Sequence, residues 1–197
     1  MKTLRAVPFF GMIGFLMILA LSLPADAAQT YKIDPVHSSV IFRIKHLDIT
    51  YVYGRFNTPS GTLRFDPENA ANNTVDMSVE AVNVDTDNSK RDKHLQSEDF
   101  FHVIKYPYIS FKSKSFKKIE PDLYEVSGDL TLHGVTKPMT VTARYTGSGE
   151  DPWGGRRIGF ESTFSVDRTD FGVTGSPDSV AEMVQVTVSV EAIREQE

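Results

Sequence analysis

The chain has 197 residues, of which 40% are hydrophobic and 24% charged, with a formal net charge of -5 and no cysteine. That is enough for one sizeable core, and the missing cysteines exclude disulfide support and thiolate chemistry. The acidic balance argues against nucleic acid and against an anionic membrane surface as partners.

Residues 1–27 read as a secretory signal peptide. Lys2 and Arg5 precede an apolar run from Phe9 to Leu23, and Ala25-Asp26-Ala27 has the small-x-small pattern of a cleavage site. The run approaches the lower limit of spanning length, but Pro8, Gly11 and Gly14 weaken a stable span, so cleavage between Ala27 and Ala28 is preferred to an uncleaved anchor. Loss of Lys2, Arg5 and Asp26 takes the charge from -5 to -6 in a mature domain of residues 28–197, whose expected location is the periplasm.

From Tyr31 onward the pattern has period two, the alternation of a strand with one dry and one wet face. Val40, Phe42, Ile44 and His46 share a face in Ser38 to His46. Tyr51 to Phe56 and Gly61 to Phe65 follow, joined by the turn-forming Asn57-Thr58-Pro59-Ser60, which predicts a hairpin. Further strands are expected at Val75 to Val84, Tyr108 to Phe116, Leu123 to Leu132, Met139 to Tyr145, Arg157 to Val166 and Val180 to Ile193. No linker or repeat divides them, so one all-β domain is expected. Strands of about ten residues suit a closed antiparallel barrel of about eight strands better than a sandwich. Only Asn88 to Phe101, NSKRDKHLQSEDFF, breaks the rhythm. With Asn88 or Ser89 as cap it reads as a short helical segment near a barrel mouth, with a plain surface connector as the alternative.

Chemistry is sparse. None of His37, His46, His94, His102 and His133 forms an HxH or HxxxH pair, so zinc has little support, and His37 with Asp34 or His94 with Asp92 suit capping or surface roles better. Asp85-Thr86-Asp87 begins like a calcium loop but lacks its glycine and glutamate. There is no GxSxG elbow. His46 stands apart, because it continues an inward face where an imidazole needs a partner; it is either a satisfied core histidine or a polar point in an apolar cavity.

Several motifs together resemble the YceI-like family: DPVHS from Asp34, FRIKHL from Phe42, RDKHLQSEDFF from Arg91, YPYISFKSKSF from Tyr106, GDLTLHGVTKP from Gly128 and DRTDFG from Asp167. The resemblance runs through the mature chain in the family's order. It implies an exported protein with a lipocalin-like antiparallel β-barrel that binds long isoprenoid lipids, and needs no cofactor or metal. The lumen would then be lined by Phe42, Ile44, His46, Met77 and Val79 in the first half. Phe111, Leu130, Leu132, Val141, Phe160, Phe164, Val186 and Val188 would line it in the second. Such a lipid, a quinone or a prenyl diphosphate, would set its head group against His46 and Arg91, with Asp92 and Asp99 orienting them. A carrier or sequestering protein is the leading reading; an enzyme acting on such a lipid and a stress-related interaction protein are the alternatives.

Overall fold

The computed structural model describes residues 28–195, so the signal-peptide reading of residues 1–27 lies outside them. The period-two pattern becomes strands Gln29–Ile33 (β1), Ser39–His46 (β2), Thr50–Phe56 (β3), Ser60–Phe65 (β4) and Thr74–Glu80 (β5). These are followed by the two-residue Val84–Asp85 (β6), then Tyr108–Glu120 (β7), Leu123–Leu132 (β8), Val135–Glu150 (β9), Arg156–Asp167 (β10) and Val180–Arg194 (β11). One α-helix, Ser89–Gln96 (α1), stands between β6 and β7, and Asn88 caps it by accepting from the Arg91 N–H at 3.0 Å.

Hydrogen bonding orders the strands β1-β4-β5-β7-β8-β9-β10-β11, and β11 returns to β1 with Tyr31 opposite Arg194, closing a ring of eight antiparallel strands. Closure pairs both edges of the strands in this ring, which an open sheet would leave exposed at its ends. The remaining strands extend the wall at one end: β2 pairs with the earlier part of β11, Val40 opposite Val188, then β3 pairs with β2 and β6 with β3. β1 and β2 thus share one edge of β11 and part at Asp34 to Ser38.

Two expectations need correction. The segments on either side of Asn57-Thr58-Pro59-Ser60 do not form a hairpin. β3 pairs with β2 and β6, whereas β4 pairs with β1 and β5. Pro59 is fully buried and Thr58 has φ 56°, and the Asn57 N–H is bonded to the Asn83 carbonyl, so the chain turns a corner between two parts of the wall. Val75 to Val84 is also not continuous, because Ala81–Asn83 forms a 3-10 turn whose buried Ala81 donates its N–H to the Pro107 carbonyl. Strand β1 is too short to be set apart in the sequence, although Tyr31 and Ile33 alternate with Lys32 as the period-two pattern expects.

One end of the barrel is packed shut. Tyr31, Phe65, Phe116, Tyr124, Ile158, Phe160 and Ala192 are buried there in one cluster. The Phe65 ring stacks on Tyr145 at 5.3 Å between centroids and meets Phe160 edge-on at 5.2 Å. Arg157 ties the same end together, its Nη1 reaching Asp34 at 2.8 Å and Glu191 at 2.6 Å, and its Nε reaching Asp151 at 2.8 Å. Hydrogen bonds from His37, then from Arg157, hold the Asp34 carboxyl at a pKa of about 2. Asp34, His37 and Glu191 lie close enough together to ligate a metal, but both carboxylates already accept from Arg157 Nη1.

Candidate functional site

Toward the other end the inward side chains no longer meet. They surround a cavity of ≈ 630 Å³, within the range of roughly 300–1,000 Å³ usual for small-molecule sites. Val40, Phe42, Ile44 and His46 of β2 and Val184, Val186 and Val188 of β11 form one wall. Met77 and Val79 of β5, Phe111 of β7, Leu130 and Leu132 of β8 and Phe164 of β10 form the rest. The alternation puts them there: each lies on the inward set of its strand, while Arg43, Lys45, Gln185 and Thr187 take the outward set. Gly54 helps shape the wall, because a Cβ there would lie 2.3 Å from the Phe42 ring.

Of the expected lumen residues, Val141 and Phe160 are the two that do not reach this cavity. They line a second void of ≈ 120 Å³ toward the packed end. Met77, Phe111, Leu130, Phe164 and Val188 border both volumes, so the lumen narrows at their level. Phe160 is drawn away by ring contacts with Phe65, Tyr124 and Tyr145. Strand pattern reports which residues point inward; it does not report how far down the axis the rings close.

The mouth is built by α1, by the segment after it and by the loop between β10 and β11. Arg91, His94 and Ser176 line the cavity and are also solvent-exposed, which locates the opening. Leu95 and Phe101 pack from the helical segment onto Val40, Phe56, Val79 and Val84, and the Phe101 ring meets Phe56 at 5.4 Å. The helix therefore covers one side of the mouth, as one of the two sequence readings expects.

His46 and Arg91 border the same cavity. Arg91 is partly committed: its Nε donates to the Thr86 hydroxyl at 2.7 Å and its Nη2 to the Thr86 carbonyl at 2.6 Å, leaving Nη1 for a ligand. Asp92 does not orient Arg91 directly. It accepts from the Thr86 N–H at 2.9 Å and from the Thr86 hydroxyl at 2.5 Å, fixing the residue on which Arg91 rests. Asp99 pairs instead with His94 Nε2 at 3.1 Å. Among the described residues no serine or threonine of the lining is hydrogen-bonded to His46 or His94, so no nucleophile–base pair is assembled.

The pattern gave no sign of Arg168. It is 5% exposed, lines the cavity and donates to four carbonyls: Ala181 from Nε, Val173 and Gly175 from Nη1, and Val180 from Nη2. Burial pushes its guanidinium below the ordinary arginine value, while Glu182 and Asp167 oppose that. This one side chain gathers the loop that forms the rim opposite α1. Its only trace in the sequence is its place in DRTDFG, directly after an alternating strand.

The model of the YceI-like domain matches residues 31–192. The chain belongs to the YceI-like family. It is 41% identical over 179 residues to Protein YceI of Escherichia coli O157:H7, covering 90% of this chain and 93% of that one. The YCEI protein of Campylobacter jejuni, a solved structure, is 34% identical, with a TM-score of 0.69 and coverage of 78% of this chain and 90% of that one. A polyisoprenoid binding domain from Saccharophagus degradans, implicated in plant cell wall breakdown, matches with a TM-score of 0.63 over 85% of this chain and 99% of that domain. At 14% identity that likeness is one of fold. The barrel fold thus recurs across chains that have little sequence in common.

Proposed function

We propose that this protein is a binding protein that holds one long-chain polyisoprenoid lipid in the barrel, with the tail in the cavity and the polar end at the mouth. The observation that carries this reading is the ≈ 630 Å³ cavity, walled predominantly by aliphatic and aromatic side chains. Membership of the YceI-like family and the fold shared with a polyisoprenoid binding domain support the ligand class.

Magnitudes divide the roles. Each five-carbon unit withdrawn from water contributes roughly 3–4 kcal/mol gross, at about 0.8 kcal/mol per CH2. A charge-assisted hydrogen bond to the head group adds about 1.5–3 kcal/mol. Affinity resides in the tail and selectivity in the head. Arg91, with Nη1 free, and His46 on the wall are the proposed head-group contacts, for a diphosphate or for quinone oxygens.

The protein acts in the periplasm as a carrier or sequestering agent, exported by a leader cut between Ala27 and Ala28. Mass spectrometry of organic extracts from natively purified protein tests the ligand: one isoprenoid per chain is expected, and an extract dominated by phospholipid would overturn the assignment. The intact mass of the exported protein tests the leader, since retention of residues 1–27 would mean an anchored form.

A further inference from the structure

The inward faces of β2 and β3 line the cavity, and their outward faces are unusual for a soluble barrel. β2 presents Ile41, Arg43 and Lys45, β3 presents Tyr51, Tyr53 and Arg55, and the connecting tip adds Leu47 and Ile49. Ile49 is 81% exposed, and Tyr53, Leu47 and Tyr51 are each about half exposed. Ser39 to Phe56 holds three basic residues against one acidic, in a chain whose net charge is -5. Lys45 lies 3.5 Å from Asp48 and Arg55 3.7 Å from Asp85 of β6, so the face carries three cations against two carboxylates. The acidic overall balance therefore conceals an aromatic, net-positive face, and that face borders the mouth.

We propose that this face of the β2–β3 hairpin docks on an anionic phospholipid bilayer, so that an isoprenoid passes between membrane and cavity without crossing water. The inference rests on the cavity's being a lipid site. Three features identify the occupant as a bilayer. Tyrosines beside arginine and lysine suit the head-group zone, where an amphipathic ring sits between apolar chains and water and cations meet lipid phosphates. The Arg43 guanidinium already lies 4.5 Å from the centre of the Tyr51 ring, which holds the cation on the aromatic patch.

The third feature is the tip. Leu47 and Asp48 both adopt left-handed backbone, φ 49° and 54°, where a two-residue turn ordinarily takes asparagine and glycine. Folding alone gives no reason to place leucine there, half exposed. The Leu47 N–H is bonded to the Ser179 carbonyl, and Ser179 lines the cavity, so the apolar tip is held beside the opening.

The test uses the mature protein with vesicles of phosphatidylglycerol and phosphatidylethanolamine, against vesicles of phosphatidylcholine alone. Wild-type protein is expected to float with the anionic vesicles, to be released by salt, and to move a polyprenol from donor to acceptor vesicles. The exposed-residue variant Ile49→Ser/Tyr53→Ser is expected to slow transfer about tenfold or more while its equilibrium binding of polyprenol stays unchanged. Val186→Trp, which fills the cavity, is expected to lose polyprenol and still float. That variant separates the two readings: wild-type protein that floats but takes up no polyprenol refutes the cargo and leaves docking, whereas uptake without flotation refutes docking. Transfer by Ile49→Ser/Tyr53→Ser at the wild-type rate overturns the proposal. So does a concentration-dependent dimer that the same variant abolishes, which would assign the face to a second copy of the chain.

Discussion

At the Arg157 end of the barrel, rings cross the lumen: Phe65 of β4 stacks on Tyr145 of β9, and these strands stand opposite each other in the ring of eight. At the His46 end, rings meet along the wall instead, Phe42 of β2 against Phe56 of the neighbouring β3 at 5.5 Å, and Phe56 against Phe101. Aromatic residues occur at both ends. Whether the barrel is sealed or hollow depends on whether their partners are across the axis or beside them, and strand geometry by itself decides neither.

The contrast is broken most severely by Phe160→Ala. Removing a ring shared with Phe65, Tyr124 and Tyr145 is expected to cost about 3–5 kcal/mol in urea unfolding, whereas Phe42→Ala, whose ring already borders the cavity, is expected to cost less than half as much. Arg157→Met comes next. It strands the Asp34 and Asp151 carboxylates at the sealed end and is expected to cost about 3 kcal/mol at neutral pH. Lipid capacity should survive in that variant, because the cavity is at the other end.

The same end sets the acid response. Asp34 is held at about 2 in the folded chain against an ordinary 3.8, so its contribution is complete above about pH 5 and is lost as the pH falls through about 2. It is expected to amount to roughly 2 kcal/mol, read as the loss of unfolding free energy across that window. Asp34→Asn should remove this part of the pH dependence.

Tryptophan at two valines sharpens the comparison. At Val141, beside the ≈ 120 Å³ void, it overpacks and is expected to cost about 1–3 kcal/mol. At Val186 it enters the ≈ 630 Å³ cavity, with a stability change expected below about 1 kcal/mol and loss of isoprenoid from the purified protein. The smallest effect belongs to the rim. Arg91→Gln is expected to weaken a prenyl diphosphate about tenfold relative to the matching prenol, and equal weakening of both would make Arg91 a residue that only ties α1 to Thr86.

Much of this architecture is legible in the residues. Val184, Val186, Val188 and Val190 announce an inward face, Asn88 announces a cap, and the break in rhythm after it marks the one α-helix among the described residues. Pairing across long sequence distances is not legible. Asn57-Thr58-Pro59-Ser60 has the composition of a hairpin turn, but composition cannot tell a turn that returns from one that rounds a corner, because the difference lies in which distant strand accepts the next hydrogen bond. The depth at which Phe160 meets Phe65 and Tyr145 escapes for the same reason. Arg168 escapes for another: its hydrogen bonds go to four backbone carbonyls of the β10–β11 loop and the start of β11, and backbone acceptors leave no mark in the sequence.

The seam at β11 has a kinetic consequence. The last strand of the chain completes the wall against both of the first two, with Ser39 opposite Ser189 and Tyr31 opposite Arg194, so the barrel cannot close until nearly all of the polypeptide is present. Contacts separated by about 150 residues place such a chain among the slow folders, on a scale of milliseconds to seconds. Until β11 arrives, the edges of β1, β2 and β10 remain unpaired and the lumen face of every strand is open to water. Deleting even the last few residues of β11 should therefore leave an aggregating sheet rather than a shorter barrel.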